Sequence, residues 1–250
     1  MDDWKPLMPE VVGTLPGGGV LRRTDPCGPT PAPVAILGVY PALTAKRTFS
    51  VNGTRMTLPT AVEARSFDAG SASGAEIDDN YLAPIGLDRA RVFITDMMPY
   101  YLANTSTSSS GRSMADNIRH FEQASGRTTG VQPRPPSGEL VRLASTLPGN
   151  LDRLSSYFAA CRPRVVLTLG TEPAAFLRGM TFAAASKQTD ALLYAAPIRL
   201  SVFGFEADVV HLVHPHLFIK KNAKWMTRHG AWCRSAGRAL VAAALQAKEQ

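Results

Sequence analysis

The chain has 250 residues, 45% of them hydrophobic, which is enough for one large core and excludes disorder over its whole length. No apolar run approaches the roughly eighteen residues of a membrane span, and MDDWKPLMPE opens on acids with no secretory signal behind them, so a cytoplasmic globular protein is expected. The net charge of +7 is uneven: residues 1–125 hold 11 Lys/Arg against 13 Asp/Glu, and residues 126–250 hold 16 against 7, which excludes an evenly neutral surface and favours a polyanionic partner.

Residues 1–33, with LPGGG and DPCGPTPAP, read as an extended arm with little regular structure. A single α/β domain follows over 34–250. Val34-Ala35-Ile36-Leu37, stopped by Gly38 and Pro41, reads as a buried strand entering a tight loop. Residues 44–90 read as a long loop carrying a short helix or two. Arg91 to Thr95 form a second strand running into Asp96 and MMPYYL. A second long loop region spans about 103–138, with the Ser/Thr-rich ANTSTSSSGR and a helix from Ser113 to Ala124. Helical periodicity from Glu139 to Cys161 is interrupted at Pro148-Gly149.

Val165 to Leu169 is the clearest strand, followed by Gly170 and a helix start at Thr171-Glu172-Pro173. Residues 186–207 allow a hairpin or an extra strand. Asp208 to Val213 then lead into His214-Pro215-His216, and a last helix covers about Trp225 to Gln246 with Trp225, His229 and Trp232 on one face. Short apolar strands alternating with helices predict a three-layer α/β/α fold around a mainly parallel, four-stranded sheet. Ligands of such sheets sit at the carboxyl ends of the strands, where this chain carries its Gly-rich and His-rich turns.

Between Asp208 and Glu249 there is no acid, while Lys220, Lys221, Lys224, Arg228, Arg234, Arg238 and Lys248 are cationic. Lys220, Lys221 and Lys224 lie just beyond His-Pro-His and are the candidate phosphate contacts, against the alternative of a solvated helix face. Cys27, Cys161 and Cys233 are three widely separated cysteines, too few for a disulfide framework or an iron–sulfur cluster. His211, His214 and His216 could suggest a metal-dependent hydrolase. If the strand runs through residue 214, alternation turns His211 away from His214 unless the strand ends between them, and no acid follows to complete a ligand set, so no metal is expected.

The order LGVYPA, ITDMMPY, VVLTLGTEPAAFL and HLVHPH resembles the uracil-DNA glycosylase superfamily, over residues 34–43, 91–101, 164–178 and 208–240. The resemblance implies excision of a deaminated or modified base from single- or double-stranded DNA, with the base flipped into a pocket and no metal or organic cofactor; the branch with the most similar first loop carries a four-cysteine iron–sulfur cluster, which three cysteines cannot build. It makes His214 the donor to the departing base, Asp96 the base-reading residue where many relatives have Asn, and Gly38, Val39, Pro41 and Ala42 the loop that cradles the base. Pro215 and His216 would press on the DNA. Two positions depart from the pattern: Tyr40 stands where an Asp or Asn orients the water, and Ala42 where a Tyr excludes a C5-methyl group. Strict uracil specificity is therefore not expected. A base-binding relative without hydrolysis is the alternative reading.

Overall fold

The apolar runs fold into a sheet because both of its faces are covered, so no polar residue has to alternate through them. The computed structural model describes residues 10–107, 111–219 and 221–246. In chain order its strands are β1 (Val11–Thr14), β2 (Val20–Arg22), β3 (Val34–Gly38), β4 (Leu43–Val51), β5 (Thr54–Val62), β6 (Val92–Asp96), β7 (Leu102–Ala103), β8 (Gln132–Pro133), β9 (Val165–Leu169), β10 (Ile198–Val202) and β11 (Phe205–Leu212). The helices are α1 (Ala72–Glu76), α2 (Met114–Ser125), α3 (Ser137–Thr146), α4 (Asn150–Cys161), α5 (Thr171–Leu177), α6 (Phe182–Lys187), α7 (Thr189–Leu192), α8 (His216–Ile219), α9 (Ala223–Trp232) and α10 (Arg238–Gln246). Among the described residues no helix is long and apolar enough to cross a membrane.

The central sheet has five strands in the order β10-β11-β9-β3-β6, not the four expected. β11, β9, β3 and β6 pair in parallel, and β10 adds an antiparallel edge through a tight turn at Phe203-Gly204. One face, with Val34, Ile36, Val92, Ile94, Leu167 and Leu212, packs on Tyr81, Ile85, Trp232 and Val241. The other, with Ala35, Phe93, Val166 and Val209, packs on Tyr157, Phe158 and Cys161 of α4. Every residue of β3, β6 and β9 is buried.

Two expected loop regions carry more structure than the sequence reading allowed. Residues 43–62 form a long antiparallel hairpin, β4 on β5, turning at Asn52-Gly53 with φ of 49° and 76°. An Asn-Gly pair adopts this left-handed turn readily, and its twist matches that of the strands it joins. The arm is likewise structured where it is described. β1 and β2 pair, and Leu15 and Leu21 bury against Met56, Leu58, Tyr101 and Ile118. Cys27 exchanges backbone hydrogen bonds with Ile94, at 2.8 and 2.7 Å, which covers the outer edge of β6. The expected helix after the Ser/Thr-rich stretch is α2, held by a capping box between Ser113 and Asp116. Residues 108–110 of that stretch lie outside the described residues.

Close docking of the arm rests on Gly28, which has φ +98° and would set a Cβ 1.9 Å from the Val92 carbonyl oxygen. Gly28→Ala is expected to lower stability by about 2 kcal/mol or more, read as a fall in the urea midpoint. A neutral result would mean that the arm does not hold the sheet edge.

Candidate functional site

Parallel register places the site at the carboxyl ends of the strands. Gly38, the last residue of β3, lies opposite Asp96, the last of β6. Met97 and Met98 N–H groups donate to the carbonyls of Gly38 and Val39, both at 2.9 Å, tying the two strand ends together beyond the sheet. A Cβ on Gly38 would stand 2.3 Å from Asp96 Oδ1 and 2.4 Å from Phe67 Cε2, so only glycine allows this approach. Val39 and Pro41 are buried, while Tyr40 and Ala42 are partly exposed.

His214 reaches the same place from β11. Its ring centroid is 6.5 Å from that of Phe67, whose edge touches Gly38. Gly170, at φ +105°, packs where its Cβ would lie 3.5 Å from His214 Cβ. From there a polar chain returns to the first loop. Glu172, in the first turn of α5, accepts from Arg134 Nη2 at 2.9 Å and Ser137 Oγ at 2.8 Å, and the Arg134 guanidinium lies 5.8 Å from the Tyr40 ring centroid. The segments around Tyr40, Asp96 and His214 thus meet through Phe67 on one side and Arg134–Glu172 on the other. A cavity of about 190 Å³ lies elsewhere, lined by Ala103, Ala115, Ile118 and Glu122; neither Tyr40, Asp96 nor His214 borders it.

The electrostatics of the site follow from burial. The His216 N–H donates to His214 Nδ1 at 3.1 Å, so a neutral ring must carry its proton on Nε2. Burial, helped by His216 and Arg134, pushes His214 down to about 4, which keeps the ring neutral at physiological pH. Asp96 is buried, and neither carboxyl oxygen has a hydrogen-bond partner of good geometry. Desolvation, reinforced by Glu63 and tempered by Ser66 and Arg153, pushes it up to about 7. Burial also raises Tyr40, against the pull of Arg134.

Glu63 and Phe67 were not found from the sequence. Both ends of the β4–β5 hairpin return to the first loop, so Glu63 Oε2 accepts the Ala42 N–H at 2.9 Å and the Ala42 carbonyl accepts the Glu63 N–H at 3.0 Å. Glu63 is buried and its pKa is raised by desolvation. A signal existed, since Glu63 is the first acid after Asp25. Phe67 is buried at φ +50°, a conformation that costs a bulky residue on the order of 1–3 kcal/mol and that clusters at functional sites.

Buried networks hold the strand ends. Arg153 Nη2 donates to the carbonyls of Asp96 and Met97, and Asn150 Nδ2 donates to Met97. On the other side Val213, just before His214, is bonded at both backbone groups. Its N–H donates to Tyr194 Oη and its carbonyl accepts from Tyr81 Oη. Tyr194 then donates to His229 Nδ1 at 3.0 Å, and His229 Nε2 donates to the Asn80 carbonyl at 2.7 Å. This order needs a neutral His229, and burial pushes its pKa down to about 4.

The remaining expected residues divide. Of the two residues expected to press on DNA, Pro215 is buried in the turn and His216 is exposed. Lys221 is exposed at φ +51°, whereas Lys224 is ion-paired with Asp190 at 2.7 Å, a partner the one-signed stretch did not reveal. Lys220 lies outside the described residues. His211 is a core histidine whose Nδ1 bonds Thr168 Oγ1 at 2.8 Å, away from His214. No protein-family model matches the chain and no curated protein matches it, so the likeness to uracil-DNA glycosylases rests on these residues alone.

Tyr194→Phe removes the hydroxyl between Val213 and His229 and leaves two buried groups unpaired. A loss of about 1–3 kcal/mol is expected in denaturant melts. An unchanged midpoint would show that the network does not support the strand end.

Proposed function

We propose that this chain is a divergent DNA glycosylase-like hydrolase of three-layer α/β/α, uracil-DNA glycosylase-like architecture, excising a deaminated or modified base. The observation that carries the reading is the meeting of Gly38, Phe67 and His214 beside a dry, unpartnered Asp96 at the carboxyl ends of parallel strands. On the His214 side, Phe67 offers an aromatic ring for a flipped base to stack on.

Hydrolysis breaks the bond between the sugar C1′ and the base nitrogen, and its electron pair leaves with the base. Water adds at C1′, one of its protons is released, and the products are the free base and an abasic sugar. Catalysis needs a donor where negative charge develops on the base, and neutral His214 supplies it through Nε2–H. Tyr40 stands at the water-orienting position of the related loop. Glu63 brings a carboxylate against Ala42 of that loop from the far end of the hairpin, so an acid is within the loop's own hydrogen-bond network. Asp96 reads the base edge. His216, Lys221 and Lys224 meet the DNA, since a surface pair such as Lys224–Asp190 contributes little and exchanges readily for phosphate.

The second reading is a base-binding protein of the same fold without turnover. It is favoured by Tyr40 in place of the loop acid, with its ring under Arg134. Incubation with single-stranded and duplex oligonucleotides carrying uracil, hypoxanthine, xanthine or 5-hydroxymethyluracil, followed by alkaline cleavage, separates the two. Strand scission is expected, falling about 10²–10³-fold in His214→Ala. Tight binding without scission favours the second reading, and neither scission nor binding overturns both. Lys221→Gln is expected to flatten the slope of log K against log salt by about one. An unchanged slope removes Lys221 from the interface.

A further inference from the structure

The β4–β5 hairpin presents two unlike sides. Its register sets Phe49 opposite Met56 and Val51 opposite Thr54, and this side, with Leu58, packs on Leu15, Leu21 and Ile118. Lys46, Thr48 and Ser50 stand opposite Pro59, Thr57 and Arg55 and make up the outer side. Lys46, Thr48, Ser50 and Arg55 are exposed, while Pro59 is buried. Arg47 shares the inner side with Leu58 but is also exposed, because β4 pairs only with β5 among the described residues and its other edge is open.

The charge of this ribbon is not neutralised. No acid occurs between Asp25 and Glu63. Exposed cations elsewhere have partners, Arg119 with Asp116, Arg199 with Glu206 and Asp208, and Lys224 with Asp190. Lys46, Arg47 and Arg55 are ion-paired with no described residue. Beside them stand the Thr48 and Ser50 hydroxyls, and Lys, Arg, Ser and Thr are the side chains that meet phosphate oxygens. Successive side chains on one side of a strand are about 6.6–6.8 Å apart. That step is close to the one between phosphates of an extended nucleic-acid strand, so Lys46, Thr48 and Ser50 form a row in phase with it. A second copy fits the open edge badly, since antiparallel pairing about the middle of β4 would set Arg47 against Arg47.

We infer that the outer side and open edge of the β4–β5 hairpin are a binding surface for the sugar–phosphate backbone of nucleic acid. Lys46, Arg47 and Arg55 take phosphates, and Thr48 and Ser50 hydrogen-bond phosphate oxygens. This rests on the nucleic-acid part of the reading above and not on hydrolysis. The paired Ala42–Glu63 bonds fix both ends of the hairpin to the first loop, so a strand held at that loop continues along the ribbon. The outer side offers no exposed aromatic or aliphatic group to a base, so the contact is independent of base sequence.

The test uses the full chain and fluorescence anisotropy with labelled oligo-dT and oligo-dA between about 50 and 200 mM salt. Combining Lys46→Gln, Arg47→Gln and Arg55→Gln is expected to flatten the slope of log K against log salt by about 0.7 per lost contact, so by about two, and equally for both oligonucleotides. Arg199→Gln, on β10, is expected to leave the slope unchanged. All three hairpin cations are exposed, so the urea midpoint is expected to hold; should the triple variant fail to fold, Arg55→Gln alone decides, with flattening by about 0.7 supporting the proposal and an unchanged slope overturning it. An unchanged slope in a folded triple variant overturns the hairpin surface and leaves the nucleic-acid reading standing. Self-association of that variant with an unchanged slope does the same, and assigns the cations to guarding the open edge. A variant that binds both oligonucleotides like wild type but loses poly-glutamate points to an acidic protein instead and overturns the proposal. Flattening with one oligonucleotide alone overturns the backbone assignment. Wild type that binds neither oligonucleotide overturns both the proposal and the reading it rests on.

Discussion

The site depends on a close approach that only glycine permits. β3 and β6 run parallel in register, so their last residues, Gly38 and Asp96, face each other where the strands leave the sheet. A side chain on Gly38 would collide with both the Asp96 carboxyl and the Phe67 ring. Because no side chain separates them, backbone, carboxyl and aromatic ring share one small volume. Water is excluded from the carboxyl, and the field around it is set by Glu63 and Arg153 rather than by solvent.

Such an arrangement stands only if the strand ends cannot relax away from one another. Parallel strands end abruptly, and their last carbonyls have no further partner in the sheet. Here the β6 end is fastened by Arg153 and Asn150 of α4, and the β11 end by Tyr81, Tyr194 and His229. Each network is directional. The Asn80 carbonyl can only accept, so neutral His229 carries its proton on Nε2 and accepts at Nδ1 from Tyr194, whose oxygen accepts in turn from Val213. Deep burial, which holds His229 neutral, is therefore part of what aims His214. The helices on the two faces thus supply more than apolar cover, since they carry the groups that fix where each strand stops.

The strands and their motif-bearing ends were legible in the sequence for a local reason. Val34–Leu37 and Val165–Leu169 are short apolar runs cut off by glycine, and burial on both faces leaves such runs no other assignment. What stayed hidden was set by partners far along the chain. Leu15 and Leu21 look like arm residues until Met56 and Tyr101 are seen to cover them. Lys224 and Arg228 look like free charges until Asp190 comes beside them. The β4–β5 hairpin is a different case, since Asn52-Gly53 announced it and only the surrounding turn formers obscured it. The hairpin matters at the site, because it returns Glu63 to Ala42 and leads into Phe67, which packs against Gly38.

The hairpin also bears on how a loop without its own acid could serve hydrolysis. In LGVYPA the third residue of the turn is Tyr40, whose phenol is raised by burial and does not act as a base at neutral pH. The hydrolysis proposed above would, from such a loop, rest on the departing base: the C1′–N bond weakens as negative charge is stabilised on the base, and water needs only to be nearby when the sugar becomes cationic. A neutral donor at His214 suits that demand, because it strengthens its hydrogen bond as charge develops without first attracting an anion. Glu63, held by the Ala42 N–H and raised by burial, is the acid on the loop side. The acid that contacts the loop thus comes from the end of β5, through Glu63, and not from the turn after β3 itself.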